Sequence, residues 1–94
     1  MEFEYDLQKS ESNKRKHGVD FEDAKAIWDD SFAFEVPSAY SEEPRSLVIG
    51  VIAEMCWTAI VTIREDRIRI ISVRRSREDE SETYYRRRGA RPEV

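Results

Sequence analysis

His17 is the chain's one histidine and sits beside Lys16. An imidazole can take and return a proton near neutral pH, and a neighbouring ammonium can assist as a positive charge. Glu80 is a second candidate for proton transfer if its surroundings shift it. Arg45, Arg64, Arg67, Arg69 and Arg74 carry the planar forks of donors that suit phosphate. These are the parts needed to cut a phosphodiester by attack of the adjacent 2′-hydroxyl. A base removes the hydroxyl proton, cations stabilise the oxygens that gain charge, and an acid protonates the departing oxygen. Arg75 beside Arg74 allows two guanidinium groups to share one anion, and Tyr84 can stack on a base or orient an arginine. The set becomes a site only if the fold gathers it.

Each residue also has a structural reading. A histidine before glycine at a helix end is commonly a C-terminal cap. Arginines on a strand protect an open sheet edge, and a tyrosine among charged helix residues packs its ring into the core. Other chemistries find less support. One His and one Cys give no paired ligand spacing, so no metal site is expected. The three glycines are too far apart for a phosphate-binding loop or a nucleophile elbow, and no cofactor is implied.

The charge is unevenly spread. Residues 1–66 hold 7 Lys and Arg against 15 Asp and Glu, whereas residues 67–94 hold 9 Arg against 5 acids, within a net charge of -4. An arginine-rich end beside an acidic body fits an anion site, a charged partner or a solvated surface. Cys56, between Met55 and Trp57, reads as a small buried hydrophobe in a reducing compartment. The longest apolar stretch, Leu47 to Ala53, is far short of a membrane span, so a cytoplasmic protein without a membrane partner is expected.

The elements that must position these residues follow from hydrophobic period. Phe3 and Tyr5 alternate with acids and predict a short half-buried strand. A polar helix with almost no apolar stripe runs from Asp6 to Lys16 and ends at His17 and Gly18. Asp20, with Asp23 three residues on, caps a second helix whose Phe21, Ala24, Ile27 and Trp28 share one side, ending near Asp29 or Asp30. Phe32, Phe34 and Val36 predict a short strand, and residues 38–44 an exposed connection. Residues 46–53, 57–63 and 67–73 predict three strands in an antiparallel meander, turning at residues 54–56 and at Glu65–Asp66. In the last strand Arg69 and Arg74 fall on opposite faces unless a bulge intervenes. Ser76 and Asp79 form a capping box for a charged helix over residues 77–88, and residues 89–94 read as a flexible tail. The expectation is one α+β domain over residues 1–94: a small antiparallel sheet with two N-terminal helices and a C-terminal helix.

Phe3-Glu4-Tyr5-Asp6, Lys9, Asn13, Lys16-His17-Gly18-Val19 and Phe21-Glu22-Asp23-Ala24, followed by Glu43-Pro44-Arg45, Arg64, the run Arg67 to Arg75, Glu80 and Tyr84, resemble the BrnT family of type II toxins. The resemblance covers nearly the whole chain. It implies a RelE-like fold, a metal-independent endoribonuclease that cleaves cellular RNA and inhibits translation, and inactivation in a hetero-oligomer with a BrnA-like antitoxin that alone reaches operator DNA. It further implies that Arg64 and Arg74 contact phosphate, that His17 or Glu80 transfers a proton with Lys16 as cationic support, and that Arg45, Arg67, Arg69, Arg75 and Tyr84 bind substrate. The acidic stretch Glu78 to Glu82 departs from the basic helix start common in the family. A toxin weakened in catalysis, acting through antitoxin binding and autoregulation, is the alternative.

Overall fold

A computed structural model describes residues 2–38 and 43–89. In chain order they form β1 (Glu2–Glu4), α1 (Leu7–His17), α2 (Phe21–Ala24) continuing as a 3-10 helix (Lys25–Asp29), β2 (Phe34–Ser38), β3 (Arg45–Ile52), β4 (Met55–Arg64), β5 (Arg67–Arg75) and α3 (Glu78–Arg88). The expected tail lies outside the described residues from residue 90, as do residues 39–42 of the expected connection.

The strands form one sheet in the order β1-β5-β4-β3-β2. Strands β2 to β5 run as the expected antiparallel meander, but β1 pairs in parallel with β5, so the sheet is mixed. The helical segment after β1 carries the chain away before it reaches β2 at the far edge, which leaves β1 free to close the β5 edge from the same direction. Both long hairpins turn on two residues with positive φ, Ala53–Glu54 and Glu65–Asp66, the left-handed pair that matches strand twist. The first turn is therefore shorter than expected, and Met55 and Cys56 belong to β4.

One sheet face carries Trp57, Ala59 and Val61 of β4 with Val48, Ile68, Ile70 and Val73, and packs on Val19, Phe21, Ala24 and Ile27. Phe3 and Tyr5 extend this core, edge-on to Trp28 and Phe21. The second helix is capped by Asp20 and Asp23 as expected, then tightens after Ala24. The tightened turn sits on β3 at Gly50, where an added Cβ would lie 2.9 Å from Ile27 Cγ2 and 3.3 Å from the Ile27 carbonyl oxygen.

The first helix is mostly exposed, as its lack of an apolar stripe predicts. Leu7 is exposed, and the residues buried are Ser10 and Asn13. Ser10 Oγ accepts from Phe21 N at 2.9 Å. Asn13 donates to the Val19 carbonyl at 2.8 Å and accepts from Val73 N at 3.3 Å. Polar side chains thus tie α1 to α2 and to the part of the β5 edge that short β1 leaves uncovered, satisfying buried backbone donors. Gly18, at φ 86°, supplies the left-handed residue that ends the helix.

On the opposite face, α3 lays Tyr84 and Tyr85 over Ile49, Cys56, Phe34, Leu47 and Val51. Cys56 is buried there as a free thiol. This helix covers only the end of the face near the Ala53–Glu54 turn. Among the described residues no helix covers the other end, near Glu65–Asp66.

Candidate functional site

Along β4, side chains alternate, so Thr58, Ile60, Thr62 and Arg64 point to the face that α3 partly covers. The β5 partners of Thr58 and Ile60 are Arg74 and Ser72, yet the partner of Val61 is Ile70. Ile71 is therefore an extra residue, a bulge of the kind that re-aims side chains. Beyond it, Thr62 faces Arg69 and Arg64 faces Arg67. The slip brings Arg67, Arg69 and Arg74 to one face, where strict alternation puts Arg74 opposite the other two.

Four of the expected cations meet on the open end of that face. Arg64 is exposed at the end of β4 and has no ion pair among the described residues. Arg67 lies opposite it on β5 and carries two contacts from β1, at 3.3 Å to Glu2 and 3.7 Å to Glu4. Arg69 donates to Glu4 Oε2 at 3.2 Å. Arg45, at the start of β3, lies 4.0 Å from Glu43, and its buried Nε has no hydrogen-bond partner among the described residues. Thr62 Oγ1 donates to the Pro44 carbonyl at 2.6 Å, holding the chain before Arg45 against β4. Neighbouring strands in a sheet are about 4.8 Å apart, so Arg45, Arg64 and Arg67 start from three adjacent strands at that spacing.

Lys16 and His17 lie in the exposed last turn of α1, along the edge of β5. With Lys9, Ser12, Ile71 and Ser72 they line a cleft of about 180 Å³. The bulge residue and its neighbour thus wall the cleft on one side and divide Arg69 from Arg74 on the other. His17 does follow the cap position expected of it, preceding Gly18, and its ring remains exposed.

Arg74 and Glu80 form a different arrangement. Their side chains meet in two parallel bonds, Arg74 NH1 to Oε1 and NH2 to Oε2, each 2.9 Å, with side-chain exposures of 22% and 12%. Oε1 also accepts from Thr58 Oγ1 at 2.9 Å and from Arg77 N at 2.8 Å. Burial pushes the Glu80 carboxyl up, but the bonds from Arg74, Arg77 N and Thr58 outweigh it and hold the group at about 2. An acid so stabilised as the anion is a poor proton donor or acceptor near neutrality. The pair joins the end of β5 to the first turn of α3. The helix starts one residue later than expected, because Ser76 Oγ is bonded to Thr58 Oγ1 at 2.8 Å and Glu80 takes over the capping.

Two further expected substrate contacts are turned elsewhere. Arg75 lies on the face away from Arg74, with its guanidinium 5.5 Å from the Trp57 ring centroid. Tyr84 is buried, and its hydroxyl donates to Asp30 Oδ2 at 2.6 Å. Burial and the Asp30 bond together push that hydroxyl up to about 12. Asp30 also accepts from Val51 N and Phe32 N at 2.9 Å each, so it pins α3, β3 and the turn before β2 together.

Sequence reading missed Glu2, Glu4, Thr58, Thr62 and Asp30. The alternation of β1 marked Glu2 and Glu4 as one polar side, but nothing local told which strand that side would meet. Among the described residues no three His, Cys, Asp or Glu side chains gather in a way that can hold a metal ion, and no helix is long and apolar enough to cross a membrane.

The family model described as "Ribonuclease toxin, BrnT, of type II toxin-antitoxin system" matches residues 5–80. That span runs from Tyr5 through Glu80 in the first turn of α3, so it includes Lys16, His17, Arg45, Arg64 and the β5 arginines, while Glu2, Glu4 and Tyr84 lie outside it. None of the curated proteins compared with the chain matches it.

Proposed function

The chain belongs to the BrnT family, the ribonuclease toxins of type II toxin-antitoxin systems, and on that premise we propose that RNA lies across the open end of the sheet face. Arg45, Arg64, Arg67 and Arg69 take its phosphates there, and His17 in the adjoining cleft moves the proton. The observation that carries this reading is the strand register, which sets Arg64 opposite Arg67, with Arg69 two residues on, on the face that carries Arg45, while Ile71 and Ser72 line the cleft at Lys16 and His17.

The reaction is internal transfer. A base takes the 2′-hydroxyl proton, the oxygen attacks phosphorus, the bond to the 5′-oxygen breaks, and a proton returns to that oxygen. The imidazole of His17 suits the proton steps, and Lys16 adds positive charge beside it. Arg64 stabilises the charge that develops on the phosphate oxygens. Arg74 and Glu80 hold α3 in place rather than touch RNA. The mechanism as written requires no metal.

A BrnA-like antitoxin in a hetero-oligomer is the proposed partner, with operator DNA reached only through it. The arginine face gives such a partner a charged target, and its steering term is expected to weaken with salt. A second reading, a toxin with weakened catalysis acting through antitoxin binding, is favoured by one observation: Arg67, Arg69 and Arg74 each already face a carboxylate.

Single-turnover cleavage of RNA in excess chelator tests the proposal. The unsubstituted chain is expected to cut and to leave 2′,3′-cyclic phosphate or 3′-phosphate ends. Arg64→Ala and His17→Ala are each expected to slow the step at least about tenfold, about 1.4 kcal/mol of transition-state stabilisation. Unchanged cleavage in folded Arg64→Ala, or activity that returns only with magnesium, overturns it. A folded, unsubstituted chain that binds antitoxin yet leaves RNA intact selects the second reading.

A further inference from the structure

The carboxylates of β1 stand where an anionic ligand of the arginine face would stand. The parallel pairing sets Glu2 against Arg67 and Glu4 against Arg69, with Phe3 and Tyr5 turned to the core on the other side. Glu2 Oε1 lies 3.3 Å from Arg67 Nε, and Glu4 bridges both arginines, at 3.7 Å to Arg67 NH1 and 3.2 Å to Arg69 NH1. We propose that Glu2 and Glu4 are a built-in phosphate mimic that holds down the affinity of this chain for RNA.

Resting on the placement of RNA given above, the inference adds the residues that set its strength. Arg64 and Arg67 are directly opposed across β4 and β5, and like charges at that position repel. Without RNA the β1 carboxylates relieve this repulsion; with RNA, phosphate oxygens do the same and must share or displace them. The pairs are exchangeable. Glu2 is 79% exposed and Arg67 53% exposed, and exposed ion pairs hold weakly against competition. The strand that carries the carboxylates has only three residues and covers only the Arg67 to Arg69 stretch of β5. Both glutamates lie just before residues 5–80, the span matched by the family model.

The test is binding of a single-stranded 2′-O-methyl RNA oligonucleotide, which cannot undergo internal attack, across a range of salt concentrations. Glu2→Gln/Glu4→Gln is expected to bind about three- to tenfold more tightly at low salt. Its slope of log affinity against log salt is expected to steepen by about 1.4, or about 0.7 for each arginine newly free to neutralise a phosphate. Should the double variant unfold at a lower urea concentration, Glu4→Gln alone gives the readout, with about half the change in slope, because it frees Arg69 while Glu2 still faces Arg67. Affinity and slope equal to the unsubstituted chain overturn the inference. Weaker binding also overturns it, because the carboxylates would then be positioning the arginines for phosphate. Arg64→Ala in the same titration separates the two claims. If it loses affinity while the glutamine variants gain none, only the mimic fails; if it loses none, the placement of RNA fails with it.

Discussion

Glu80→Gln keeps the shape of the side chain but removes the charge that Arg74, Arg77 N and Thr58 converge on. Holding this carboxyl at about 2 instead of 4.5 corresponds, at about 1.4 kcal/mol per pH unit, to roughly 3 kcal/mol favouring the folded state. With the side chain 12% exposed little of this is lost to solvent, and the amide keeps some of the bonds, so about 2 to 3 kcal/mol is expected to disappear at pH 7. For a domain of this size that lowers the thermal midpoint by roughly 10 to 20 °C. Because folding favours the ionised form of Glu80, its contribution is fully present above 4.5 and is lost as pH falls through about 2. The gap between the two proteins in urea unfolding is expected to shrink to less than about half near pH 3. Other carboxylates, such as Asp30, titrate in both proteins and cancel in the difference. Equal stabilities at pH 7, or a gap constant down to pH 3, refute the reasoning. Arg74→Ala serves as the companion. Loss of cleavage with an unchanged urea midpoint would return Arg74 to the reacting centre and remove it from the tether.

Tyr84→Phe deletes the 2.6 Å bond to Asp30 and is expected to cost about 1 to 2 kcal/mol in urea unfolding, while single-turnover RNA cleavage stays within about twofold. A tenfold loss of cleavage there would give Tyr84 a substrate contact after all. Gly50→Ala drives a methyl group against Ile27 and Ala33 and is expected to destabilise by about 1 to 3 kcal/mol, read from the same denaturation curves; an unchanged midpoint would mean that the 3-10 turn gives way freely.

Local pattern was enough to determine the helices and strands, the α+β class, the capping of α2 by Asp20 and Asp23, and the resemblance that led to the family. Each rests on residues within a turn or a strand of one another, where a period of 2 or 3.6 speaks directly. The same alternation showed that Arg69 and Arg74 share a face only across a bulge, but not that the bulge exists. Strand register is a contact between distant segments, and Ile71 is extra only relative to β4. Tertiary structure alone decided which carboxylates the arginines meet. Arg74 is spent on Glu80, six residues on, while Arg69 meets Glu4, 65 residues away in the chain. Folding likewise made Ser10 and Asn13 the inward side of α1, although its sequence shows no apolar stripe, because the backbone groups they satisfy come from Phe21, Val19 and Val73. A side chain's type is written locally, but its charge state and partners depend on what the rest of the chain brings within about 3 Å of it.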